Sequence, residues 1–339
     1  MRSFYINKLN IDYWSAFLMM AAFVFSNLFK REFPIHIVLS IASSFLVLLI
    51  IKKIDLFRLF IFIYIYILST LLSADGEGYL ITLIYKAITL IPIFVLVRRY
   101  KINDITRGVF HAISLSIIVS IIFIVAGLSH DKFILYIMYI DAPFPRFAAL
   151  AIEPVSLALS LLCLSIALYL SDIRLNYLNK TMVFISSIMT LSTFIVFLLF
   201  TWFNMFFRRA AKWILYPFLM AILLYIFLNT RFIDSVEHRL FLYGEVLKKI
   251  DIGFWGTGLY ANKDLASGLP GLLRMFNECG TIMSTFILVL ILSRIVKYKK
   301  LDTILLLGAT LPFLTEAYGS PILWFLAFLC IASSKRGTA

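Results

Sequence analysis

Apolar runs of roughly 15 to 22 residues recur along almost the whole of this chain, and nothing else in it restricts folding so severely. A run of that length spans, or nearly spans, the hydrocarbon core of a bilayer as an α-helix. Lipid offers no partner to an unpaired backbone N–H or C=O, so the only spanning structures are helices and closed barrels. A barrel needs short segments of alternating polarity, and these runs are continuously apolar. The sequence therefore predicts an all-α polytopic membrane protein. Composition agrees, with 62% hydrophobic and 14% charged residues. Three cysteines are too few and too scattered for a disulfide framework, and Cys163 and Cys330 fall in apolar spans where packing accounts for them.

The spans read as 12–28, 34–51, 56–73, 79–97, 106–127, 149–170, 181–192, 193–207, 213–229, 279–295, 302–315 and 320–333. This makes a bundle of about 12 membrane segments within a single integral membrane domain, residues 1–339. Two pairs are short hairpins, one turning near Ser192 and Thr193 and the other in "TEAYGSP", Thr315 to Pro321. The N-terminal "MRSFYINKLNIDYW" leads into an apolar run without a small-residue cleavage site, so that run is expected to be a retained first span. The net charge of +13 invites a nucleic-acid reading, but the basic residues concentrate in alternate connections, including "KK" at 52–53, "RRYK" at 98–101 and "RRAAK" at 208–212. That is the positive-inside pattern, with both termini cytoplasmic, and it requires no nucleic-acid partner.

Two outer segments exceed simple turns. Residues 128–148 are aromatic and partly apolar and suit the membrane interface. Residues 230–278 are the one sizeable hydrophilic piece. There Val236, Leu240, Tyr243, Leu247 and Ile250 recur at alternating steps of four and three, the pattern of an amphipathic helix, followed by a glycine-rich stretch containing "GFWGTG".

Charges at or inside the outer boundary are the candidate chemistry. Arg146 and Glu153 lie seven residues apart in "PRFAALAIEP" and share a face if the segment is helical. They suit either an interface anchor or a site with an anion-binding cation beside a proton-accepting carboxylate. Lys86 lies about two turns inside its span and either snorkels outward or holds an anion within the bundle. In the large outer segment Arg239 is a candidate anion ligand and His238 a candidate base or bystander, while Arg231 suits an interface anchor. Arg274 and Glu278 have i, i+4 spacing, for which a surface ion pair is the default. The four histidines, His36, His111, His130 and His238, have no ligand partner at a recognisable spacing, so neither a metal nor another cofactor is expected.

This layout resembles the O-antigen polymerase and O-antigen ligase superfamily of bacterial membrane glycosyltransferases, over roughly residues 140–295. One signature is an arginine followed by an "EP"-like dipeptide opening a span, here Arg146, Glu153 and Pro154. The other is a large outer loop with an arginine, then a "G.G" turn, then an acid and glycine at the next span, here Arg239, Gly256 and Gly258, and Glu278 and Gly280. A short hairpin near "MTLS", Met189 to Ser192, also fits. The family often carries glycine shortly after the first arginine, where this chain has Ala148 and Ala149. Ligase relatives usually carry a histidine late in the large loop; "DLASGLPGLLRMFNE" has none, which favours the polymerase.

The resemblance implies a glycosyltransferase class C-like enzyme of the bacterial inner membrane with its site facing the periplasm. It would polymerise oligosaccharide units linked to undecaprenyl pyrophosphate, and a chain-length regulator is an implied partner. Pyrophosphate binding falls to Arg146 and Arg239, with Lys86 and Arg274 in reserve, and the base to Glu153, with His238 second. Ligase-type transfer to lipid A core is one alternative. A flippase of lipid-linked oligosaccharides is another, although flippases more often place cations along a central cavity.

Overall fold

A computed structural model of the protein describes residues 10–26, 35–49, 79–127, 138–139, 146–151, 153–190, 253–254, 256, 271–297, 303–314 and 321–333, with a few single positions between 198 and 248. Among these the chain is overwhelmingly helical, as the apolar runs require. The helices are α1 (Ile11–Val24), α2 (Ile35–Leu48), α3 (Tyr79–Arg99), α4 (Ile102–Val125), α5 (Pro154–Leu170), α6 (Tyr177–Met189), α7 (Gly271–Lys297), α8 (Thr303–Leu314) and α9 (Pro321–Ser333). Two short strands, β1 (Met138–Tyr139) and β2 (Arg146–Phe147), pair antiparallel.

Among the described residues two helices are long and apolar enough to cross a membrane, α4 and the Gly271–Val289 part of α7. Helices α1, α2, α5 and α9 are apolar but only 13 to 17 residues long, short of the ~20 that a straight span needs. The expected spans 56–73, 193–207 and 213–229 lie almost wholly outside the described residues, as do the amphipathic stretch 236–250 apart from isolated positions and the turn at 315–320.

The chain divides into two compact units, one of residues 1–59 with 88–199, the other of 60–87 with 200–339. In the first, α1 lies against α2 and α4, and α4 against α5. The α1–α4 contact closes at Gly108, where an added Cβ would stand 2.4 Å from the Tyr13 carbonyl oxygen and 2.9 Å from the Phe17 nitrogen. Glycine permits this backbone approach because it has no side chain to exclude. Hydroxyls tie the helices together. Ser43 Oγ donates to the Ser15 carbonyl (2.9 Å), Ser44 Oγ to the Ile88 carbonyl (2.8 Å) and Ser116 Oγ to the Val24 carbonyl (2.9 Å). Helix α5 is the most enclosed, with residues 157–168 buried without a break, as expected of a helix that is apolar all round.

A charged knot closes one end of this unit. Asp12, whose side chain is 2% exposed, accepts from Arg99 Nε at Oδ1 (2.6 Å) and from Nη2 at Oδ2 (3.0 Å), and Lys101 Nζ lies 3.1 Å from the same Oδ2. Only Tyr100 and Lys101 separate α3 from α4, and Tyr100 takes the left-handed conformation (φ 48°) that so sharp a reversal imposes. In the second unit α7, α8 and α9 pack together, with Met275 of α7 at the centre of a cluster that includes Phe276, Ile287, Leu288, Trp324 and Ile331.

Candidate functional site

The approach to α5 is not helical. A span is expected from residue 149, and a helix reaching back to residue 146 would set Arg146 and Glu153 on one face. The structure corrects this: Arg146 lies on β2, Ala151 N–H closes a turn onto the Ala148 carbonyl (3.1 Å), and helix starts only at Pro154. The cause is local. Proline favours the first helical position, and its ring forces the preceding residue into extended backbone. Glu153 accordingly has φ −150° and ψ 155°, and its carbonyl accepts from Ser156 N–H (3.0 Å) and Leu157 N–H (3.3 Å).

Arg146 is half-buried and faces Tyr139 across the strand pair. Behind it, Phe147 to Ala151 are all buried, so the turn is a fixed support. The Glu153 side chain is exposed and makes no capping bond with its own helix, which leaves the carboxylate available at the mouth of the most enclosed helix.

Ala149 has φ +53° in this turn. Left-handed backbone costs an L-residue about 1–2 kcal/mol. Glycine would relieve that strain but lose a buried methyl worth about 0.8 kcal/mol and gain unfolded-chain entropy worth about 0.5–1 kcal/mol. The terms nearly cancel, so Ala149→Gly is expected to be close to neutral. Ala149→Val adds crowding in a buried turn to a β-branched left-handed residue and is expected to cost about 3 kcal/mol. Thermal unfolding of the two variants in detergent checks the contrast.

The second cluster lies at the start of α7. This helix is broken at Gly280 (φ 75°, ψ 171°), which divides it into a short first part and a long second part. Arg274 Nε donates to Glu278 Oε1 at 2.7 Å, with the two side chains 9% and 3% exposed. The i, i+4 spacing does make an ion pair, but a buried one and not the surface pair expected. Gly253 and Gly256 lie directly on the break. Gly256 has φ +73°, and a Cβ there would stand 2.4 Å from Gly280 N, 2.5 Å from the Glu278 carbonyl oxygen and 2.8 Å from the Cys279 carbonyl carbon. Both the N–H and the hydroxyl of Thr281 donate to the Gly253 carbonyl (3.1 and 3.2 Å). Ser284 Oγ donates to the Met275 carbonyl (2.8 Å) across the break, tying the two parts of the helix together.

Lys86 belongs to α3, but its side chain lies outside the described residues, as do His238, Arg239, Arg231 and Gly258 entirely. The structure thus places Arg146 near the start of α5, along the chain from Glu153 in the first unit, and joins Arg274, Glu278, Gly280 and Gly256 in a cluster of the second unit. Among the described residues no group of three or more His, Cys, Asp or Glu is arranged to hold a metal. Sequence reading missed the Asp12 knot, although a signal was present: the positive-inside assignment already put Asp12 and "RRYK" at the same membrane face.

No protein-family model, curated protein or solved structure matches this chain.

Proposed function

We propose that the chain is a multi-pass enzyme of the bacterial inner membrane, of about 12 membrane segments, that polymerises lipid-linked oligosaccharide repeat units at the periplasmic face. The growing glycan leaves undecaprenyl pyrophosphate as the bond from its anomeric carbon to the pyrophosphate oxygen breaks. A new glycosidic bond forms to a sugar hydroxyl of the incoming unit, whose proton passes to Glu153. Pyrophosphate departs with its negative charge, so the step needs charge stabilisation more than an acid. Arg146 and Arg239 supply it, because a guanidinium fork makes paired, charge-assisted bonds to phosphate oxygens.

The observation that carries this reading is the seating of Gly256 on Glu278, Cys279 and Gly280. Two parts of the second signature, distant in sequence, form one backbone contact, as expected if the pattern describes a site. Exposure of Glu153 on a rigid, non-helical platform supports its role as base. Arg274 is engaged by Glu278 and serves better to shape the start of α7 than to grip a phosphate. Lys86 and His238 remain the reserve ligand and reserve base.

The test is the length distribution of surface polysaccharide in a deletion strain complemented with single variants. Arg146→Lys keeps a positive anchor but loses bidentate geometry, and is expected to reduce the product to single repeat units at normal protein level. Glu153→Gln is expected to slow polymerisation by about 10²-fold or more. Full-length polymer from both variants would refute the mechanism, and loss of all surface units in the deletion strain would point to a flippase instead.

A further inference from the structure

Helix α4 carries on one outward face a column that changes character along its length. Arg107, His111, Leu115, Ile118, Ile122 and Val125 follow at steps of four, four, three, four and three, and all are exposed. That spacing stacks them along one side of a helix. The first two are a guanidinium and an imidazole, and the rest are aliphatic, rising to 82% exposure at Val125. From Arg107 to Val125 the column climbs about 27 Å, most of the ~30 Å hydrocarbon core, so an acyl chain that enters beside Arg107 reaches mid-membrane near Ile118.

The polar end is built. The Asn103 side chain, one turn before Arg107, accepts from Asp172 N–H (3.2 Å), and Thr106 Oγ1 donates to the Ala167 carbonyl (3.1 Å). These bonds hold the start of α4 against the end of α5 and the link that carries exposed Arg174. The His111 imidazole is fixed by a hydrogen bond between its Nδ1 and the Tyr13 hydroxyl (2.8 Å). Exposed Tyr177 and Leu178, at the start of α6, come three and four residues after Arg174 and suit the headgroup level. By chain position Arg98, Arg99, Lys101, Arg107 and Arg174 fall at this end with Asp12, Asp104 and Asp172, so the surplus charge is positive, and Asp12 holds Arg99 and Lys101.

We propose that this face binds an anionic phospholipid, its phosphate at Arg107 and Arg174 beside His111 and an acyl chain along Leu115 and Ile118. Charge complementarity selects the lipid class. A zwitterionic phospholipid brings its own cation to an already positive rim, whereas an anionic one does not. The site is independent of the catalytic reading, since neither arginine belongs to that machinery.

The experiment measures thermal unfolding of the purified full-length chain in detergent, titrated with dioleoyl phosphatidylglycerol, dioleoyl phosphatidylcholine or inorganic phosphate. Phosphatidylglycerol is expected to raise the midpoint, with the other two leaving it within error. Arg107→Gln is expected to weaken the apparent affinity for phosphatidylglycerol by about five-fold or more without changing the lipid-free midpoint. Arg174→Gln carries the same expectation should the first variant fold poorly. Equal shifts with both phospholipids, a full shift from phosphate alone, or undiminished binding by both variants would overturn the proposal. So would a stable lipid-free dimer that buries this face.

Discussion

Glu278→Ala is expected to destabilise the protein by about 3–5 kcal/mol, because it removes the carboxylate of a buried ion pair and leaves the Arg274 charge uncompensated by it. Arg274→Ala should cost a similar amount by removing the other half of the pair. The double replacement Arg274→Met with Glu278→Leu is expected to recover most of the loss. Taking two ions out of water consumes much of what their attraction returns, so a well-packed apolar pair of similar volume does nearly as well. Chemical unfolding of the four proteins in one detergent closes the cycle. Single-variant losses under about 1 kcal/mol, the range of exposed pairs, would mean that water reaches the pair.

Gly256→Ala should cost about 3–4 kcal/mol. The new methyl would meet the backbone of Glu278, Cys279 and Gly280, and backbone, unlike a flexible side chain, cannot rotate aside. Overpacking of this kind costs about 1–3 kcal/mol, and a left-handed L-residue about 1–2 kcal/mol more. A control lies three residues away. Nothing stands within 4 Å of a Cβ at Gly253, so Gly253→Ala is expected to fall within about 0.5 kcal/mol of the parent. A limited-proteolysis comparison checks both, with the segment ahead of α7 becoming cleavable in Gly256→Ala alone. If the two alanine variants behave alike, the contact has no role in holding that segment.

Helix existence was legible because period and polarity decide it locally. Boundaries were legible only where a breaker stood in the right place. The expected start at residue 149 came too early because "AALAI" is as apolar as the helix it precedes; Pro154 was the sign that the backbone before it is extended. Helix α7 begins at Gly271, eight residues before its apolar run, because "LLRMFNEC" is too polar to register as a span. That polarity is tolerated where Arg274 and Glu278 neutralise one another. Their spacing predicted the bond, but spacing is the same on a surface and in an interior. Burial depends on which elements pack over the pair, and adjacent sequence carries no record of that. Asp12 and Arg99 show the same limit at a separation of 87 residues. For the proposed site, the residue types in "RFAALAIEP" and "GTG…ECG" were readable, whereas the strand, turn and cap that present Arg146 and Glu153 were not.

The hydroxyl bonds among α1, α2 and α3 have a consequence for how this bundle coheres. Within lipid, helices gain little by hiding aliphatic surface from one another, because acyl chains solvate that surface equally well. A serine that reaches a neighbouring helix's carbonyl supplies a directional attraction, on the order of 0.6 kcal/mol apiece, that does not depend on expelling water. Ser43 on Ser15 and Ser44 on Ile88 join three helices by such bonds. This corner is therefore suited to stay associated when one mild amphiphile is exchanged for another, and to loosen first in media that compete for carbonyl oxygens.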